Sequence, residues 1–414
     1  MSSPGGSRVV LLALLVALAA GLTAANYQFA QRSPGGNDFL ARWNAARWWL
    51  VEGVNPYDPR VSRSSQELIY GRTARPEQGE DIAHFAYPLP SMVFFGPFGL
   101  LPYDLARALW MTILELCLPL LAILGVMHAR WRVRPWMLAV LMLFAVVWYH
   151  GARAIVLGQF AVIDAVLIAS SLVALQRRQD LLGGILLALS SVKPQMPFLL
   201  IAYVLLWAVL SRRWVAGGSL VGALALLYGG ATLLVPDWPV LWARQLVEYP
   251  RYTAIGSPVS ILFSSLAAGG GTLTWAVTAL AAAYLLSEWL RASGPDDARF
   301  QWTAAMTLVV TNLIAFRTAT TNYVVLLPAL CLIFRVFDER WGRLGNVAIV
   351  GMISTLTVGL WALFLQTVSG NEESAAMYLP LPIVTLFGLW WVRWWVIRAW
   401  PLRPESMVTP YGPR

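Results

Sequence analysis

LLGGILLALSSVKPQMPFLLIAYVLLWAVLSRR, residues 181–213, decides the fold class. Leu181 to Val192 and Phe198 to Leu210 carry no charge; between them stands Lys193-Pro194-Gln195, and the run ends on Arg212-Arg213. A helix crossing a bilayer takes about 20 apolar residues, so the stretch reads as two short spans meeting at a proline break. An ammonium left in hydrocarbon costs about 3 kcal/mol unless it reaches an anion or the interface. Lys193 therefore has two readings: it neutralises a lipid phosphate, or it snorkels to headgroups at a broken helix end.

Similar apolar runs of about 15 to 24 residues recur along the chain. With 414 residues, 58% hydrophobic and 12% charged, the protein reads as an all-α polytopic membrane protein, one integral domain over 1–414 with roughly 11 to 13 transmembrane helices. The first is Val9 to Ala25, read as an uncleaved span rather than a signal peptide. Two stretches stand outside the pattern: a first extracytoplasmic loop, 26–86, and a second interfacial stretch, 236–257, bearing Trp238 and Trp242.

The net charge of +9 does not point to nucleic acid, because the arginines sit in short clusters beside apolar runs, as orientation signals do. Placing the clusters around Arg177, Arg212, Arg299, Arg340 and Arg398 in the cytoplasm puts Asp38, Lys193, Arg317 and Glu372 on the other side. One conflict follows. If both Met92 to Leu101 and Leu105 to Val126 cross, then Arg130, Arg132 and Arg134 fall outside, unless the proline-rich segment near Pro88 stays on one side.

Within the first loop, GGNDFLARWNAARWWLVEGVNPYD (residues 35–58) carries Asp38, the first acidic residue of the chain. Phe39, Trp43, Ala46, Trp49 and Leu50 recur at helical spacing with Arg42 and Arg47 turned elsewhere, the pattern of an amphipathic helix along an interface. Asp38 could act as a general base; equally, Asn37 and Asp38 suit a helix N-cap.

Signatures of ATP-driven, zinc-dependent and serine-hydrolase chemistry are missing: no GxxxxGK[ST], HExxH, GxSxG or DxD occurs. With three histidines no histidine metal cluster is expected, and Cys117 and Cys331, far apart in apolar runs, suggest neither disulfide nor zinc site. Other polar candidates remain. Arg317, with Thr318, Thr320, Thr321 and Asn322 in FRTATTNY (316–323), suits a phosphate or sugar pocket or an ordinary basic turn. Asp164, early in an apolar run after Gln159, is a functional candidate or a partner for an arginine such as Arg153. Glu115 is read as structurally paired, and Tyr87 as a substrate-binding or interface aromatic.

Four motifs in order, Asp38 with GVNPYD (53–58), FAYPLP (85–90), GQFAVIDAVL (158–167) and GILLALSSVKPQMPFLL (184–200) followed by RRW (212–214), resemble the mannosyltransferases of glycosyltransferase family 87 in the GT-C superfamily. The resemblance covers about residues 37–214. It implies a GT-C-like bundle in the plasma membrane with its active site on the extracytoplasmic face. It also implies a polyprenyl-phosphate-linked sugar donor and a lipid or glycan acceptor; single displacement from such a donor needs no nucleotide or redox cofactor, and a lipid monophosphate leaving group held by cationic side chains could dispense with metal. Carried over by residue, the acidic base falls on Asp38 and the family's glutamine and lysine on Gln159 and Lys193. Read beside the chain's own polar candidates, Lys193 and Arg317 would meet the donor phosphate, and Gln159, Asp164, Tyr87 and Asn322 the substrates. The chain departs at Ala161, where many members carry Asn, and at TATTNY (318–323), in place of a histidine-containing motif. The expected reaction is inverting hexose transfer, with transport or flipping of a lipid-linked or anionic substrate as the rival.

Overall fold

A computed structural model describes residues 4–33, 35–248, 256–264, 270–292, 297–315, 318–370 and 373–398. Arg317 and Glu372 lie outside them. The described chain folds into helices α1 (Pro4–Arg32), α2 (Asn37–Glu52), α3 (Pro59–Tyr70), α4 (Met92–Gly99), α5 (Tyr103–His128), α6 (Pro135–Val147), α7 (Tyr149–Leu157), α8 (Ala161–Gln176) and α9 (Asp180–Ser190). These are followed by α10 (Phe198–Leu210), α11 (Trp214–Leu234), α12 (Trp238–Glu248), α13 (Pro258–Ser264), α14 (Gly270–Arg291), α15 (Asp297–Ile314), α16 (Leu327–Thr367) and α17 (Pro380–Ile397). The protein is a polytopic all-helical membrane protein. Helix is the form in which an apolar backbone satisfies its own hydrogen bonds in lipid.

Among the described residues six segments are long and apolar enough to cross a bilayer, and α6 with α7, bent by 48°, make a seventh if counted as one span. Helices of full length are therefore fewer than the roughly 11 to 13 spans expected, for two reasons. The apolar runs at α8, α9 and α10 become helices of 10–17 residues, shorter than a typical crossing, although they link the two ends of the bundle. Two further expected spans are merged in the 41-residue α16, which kinks at Gly342.

Side-chain contacts sort the helix termini into two ends. At one, Arg130 pairs with Asp297 at 2.8 Å, Trp131 donates to Asp338, Arg213 chelates Asp180, and Arg335 donates to the Ala129 carbonyl. At the other, Tyr103 donates to the Gly35 carbonyl, Trp110 to that of Gly158, Tyr228 to that of Ser191, and Trp242 to that of Ala86. The first end carries the arginine clusters and the second carries Asp38.

This arrangement resolves the topological conflict. α4 has eight residues, about 12 Å of helix, and packs along α2 rather than crossing, with the Trp43 indole donating to the Leu101 carbonyl. A single crossing, α5, then carries the chain to Arg130, Arg132 and Arg134, which join the other arginines. Glu115 on α5 accepts from Asn26 on α1 at 2.9 Å, the structural pairing expected of it.

Candidate active site

The site is built where four elements meet at the Asp38 end. The α2 helix begins after Gly36, a left-handed N-cap with no side-chain cap bond. Asp38 therefore lies inside the first helical turn, and the N-cap reading of it is not realised. The positive end of the helix dipole still favours a negative charge there. Phe39, fully buried, stacks on Trp110 with centroids 4.9 Å apart and fixes the depth of the turn.

From this turn the carboxylate reaches outward. Asp38 Oδ2 accepts from Gln159 Nε2 at 2.7 Å, and Gln159 Oε1 accepts from Lys193 Nζ at 2.8 Å. Gln159 sits in the tight connection between α7 and α8, and Lys193 in the proline break between α9 and α10. Three residues distant in sequence thus form one hydrogen-bonded chain, graded in exposure: the Asp38 side chain is 27% exposed, Gln159 9% and Lys193 3%. The ammonium has three N–H donors, and two remain beyond the bond to Gln159.

Sequence reading missed Arg42. It is not turned away: its guanidinium lies 3.6 Å from Asp38 and sits over the Tyr87 ring at 4.9 Å. The signal was present in the i,i+4 spacing of Asp38 and Arg42, which places them on one helix face. Tyr87 is buried, edge-on to Phe160, the neighbour of Gln159.

Asp164, in the first turn of α8, is fully buried and neither carboxylate oxygen has a hydrogen-bond partner. Its expected pairing with Arg153 is not found. Arg153 instead approaches Glu373 at 4.0 Å, and Glu373 also accepts from Tyr149, from Thr320 at 2.6 Å and from Tyr378 at 3.3 Å. Asn322 is buried, donates to Thr318 at 3.3 Å, and among the described residues makes no hydrogen bond to Asp38, Gln159 or Lys193. Sequence reasoning had no means of finding the Glu373 cluster, since its members come from connections more than 200 residues apart.

Among the described residues no three His, Cys, Asp or Glu side chains converge as a metal site. Chemically, the arrangement offers a partly exposed carboxylate that can take a proton, flanked by two cations able to meet an anion.

No curated protein and no solved structure matches the chain. A family model, glycosyltransferase family 87, matches residues 85–315, more than half of the chain and well beyond the motifs ending at Trp214. The match takes in Tyr87, Gln159, Asp164 and Lys193, with Asp38 upstream of it. The chain is a membrane glycosyltransferase and belongs to glycosyltransferase family 87.

Proposed function

We propose that the protein moves a hexose, mannose by family resemblance, from a polyprenyl-phosphate-linked donor to a lipid or glycan acceptor on the extracytoplasmic side of the plasma membrane. The observation that carries this reading is the chain Asp38–Gln159–Lys193, which holds a base and a cation at a fixed separation through one amide. In a single displacement the acceptor hydroxyl oxygen attacks the anomeric carbon while Asp38 takes its proton. The bond from that carbon to the phosphate oxygen breaks with inversion, and polyprenyl phosphate leaves with the electron pair. Lys193 and Arg42 would stabilise the anion as it departs. Arg317 remains a proposed phosphate ligand on sequence grounds, with Tyr87, Asp164 and Asn322 as proposed substrate contacts. Family membership favours transfer over transport.

The decisive test is transfer of labelled sugar from polyprenyl-phosphate-mannose by membranes containing wild type or Asp38→Asn at equal protein levels. Loss of transfer with donor binding retained supports the base role. Unchanged transfer by Asp38→Asn would reduce Asp38 to a structural residue. An inactive wild type would point to another donor.

A further inference from the structure

α8 and α10 run from the Asp38 site to the opposite end of the bundle, about 24 Å and about 20 Å of helix. Where they end, a cavity of about 180 Å³ opens, lined by Arg178, Trp207, Arg212, Arg213, Asp297 and Phe300. Its walls include the buried rings of Trp207 and Phe300, whose centroids lie 4.3 Å apart. The described acidic groups near it, Asp180 and Asp297, are already neutralised. Arg213 chelates Asp180 and lies over the Trp207 ring at 4.9 Å, and Asp297 is paired with Arg130.

Three donor groups are left over. Arg178 and Arg212 are exposed, and neither guanidinium makes a hydrogen bond or ion pair with a described residue. Both residues hold left-handed backbone conformations, φ 61° and 54°, at helix ends where glycine is the usual occupant because a Cβ is strained there. The third is the Trp207 indole N–H, which is buried and has no acceptor among the described residues. Indole is a donor only, and a buried donor without an acceptor calls for an explanation.

We propose that this cavity binds a phosphate group, carried by an anionic lipid headgroup of the leaflet at the arginine-rich end or by a free anion. The unused groups comprise two guanidinium forks and one N–H, a set that asks for a ligand with several acceptor oxygens and negative charge. The volume is several times the roughly 30 Å³ share of one water. Basic pockets between membrane helices suit anionic headgroups. The proposal does not depend on the glycosyl-transfer reading, because the site lies a bundle length from Asp38.

The test uses the full chain purified in neutral detergent, with native mass spectrometry after adding phosphatidylglycerol or phosphatidylcholine. Wild type is expected to retain phosphatidylglycerol in preference to phosphatidylcholine. The double variant Arg178→Gln/Arg212→Gln should lose that preference by about tenfold or more. Trp207→Phe, which keeps the aromatic wall, should weaken retention by about threefold. Thermal unfolding at wild-type temperature shows that both variants are folded. Displacement of phosphatidylglycerol by millimolar inorganic phosphate supports a soluble anion as ligand; retention despite it supports the lipid. Equal retention of phosphatidylglycerol by wild type and the double variant would overturn the proposal. So would a wild type that neither prefers phosphatidylglycerol nor is stabilised by phosphate.

Discussion

Lys193 donates to the side-chain carbonyl of Gln159, and because the other face of the same amide donates to Asp38, the orientation of Gln159 is dictated by its two neighbours. A flipped amide would set oxygen against carboxylate and N–H against ammonium. Gln159→Glu imposes the first of these conflicts permanently, so transfer should fall by about 100-fold or more, the scale on which displaced acid–base groups act. Gln159→Leu, close in volume, should leave Asp38 in place but unanchored and cost less. Kinetics with labelled polyprenyl-phosphate-mannose distinguish the two; equal activity of all three proteins would show that the amide holds nothing of consequence.

Asp164 makes the opposite argument, since a fully buried carboxylate with no hydrogen-bond partner among the described residues is a cost to the fold, offset only by the nearby charge of Lys193. Asp164→Asn should therefore unfold at the same or a higher temperature than wild type, while transfer falls if the carboxylate serves the neighbouring ammonium. Arg153→Met removes a cation from Glu373 instead and should lower the unfolding temperature. Since the two residues share no partner, the stability changes should add to within about 0.5 kcal/mol in the double variant. A larger coupling would mean that Asp164 and Arg153 interact after all.

These two cases mark what the sequence disclosed. Apolar runs and proline breaks showed the helices, and Lys193-Pro194-Gln195 does separate α9 from α10. Asp38, Gln159 and Lys193 could be singled out as polar residues at run ends within recognisable motifs, although nothing in their spacing says that one amide joins them. The phase of a helix at an interface is poorly fixed by its apolar residues when tryptophans lie on several faces, so Arg42 was assigned to the wrong side. Glu373 and its partners carry no periodicity and meet only through tertiary packing. Helix length was less legible than helix number: hydropathy marks the apolar runs, but not that α8, α9 and α10 fold into helices of 10–17 residues or that two runs join in α16 with a kink at Gly342.

His84 links the first loop to α12 and gives the fold a pH dependence. Its Nε2 lies 3.5 Å from Glu248, and Nδ1 is hydrogen-bonded to Ser62 at 2.7 Å. Burial holds the imidazole below the usual histidine range, outweighing the pull of Glu248 and Asp81 in the other direction. The unfolded chain then binds the proton more readily than the folded one. Stability is full above the ordinary histidine value of about 6.5 and is lost as pH falls toward the folded value. The unfolding temperature should drop between pH 7.5 and pH 5.5, and His84→Gln should flatten that drop. A variant that keeps the full wild-type slope would assign the effect to another group.

Gly158 ties the backbone of the site together more tightly than its lack of a side chain suggests. It takes φ 71° at the end of α7, and a Cβ built there would stand 2.6 Å from the Cβ of Phe39, the residue after Asp38. Gly158→Ala thus combines left-handed strain of about 1 kcal/mol with a clash against a rigid, stacked aromatic, for a loss of about 2–3 kcal/mol in all. Gly53→Ala provides the control, because Gly53 has φ 65° but nothing within 4 Å of the added carbon. It should show the strain alone. If close packing of Phe39 on Gly158 holds Asp38 within reach of Gln159, then Gly158→Ala reduces transfer per folded molecule as well as stability, whereas Gly53→Ala reduces only stability. Equal transfer by the two folded variants would uncouple this contact from the chemistry.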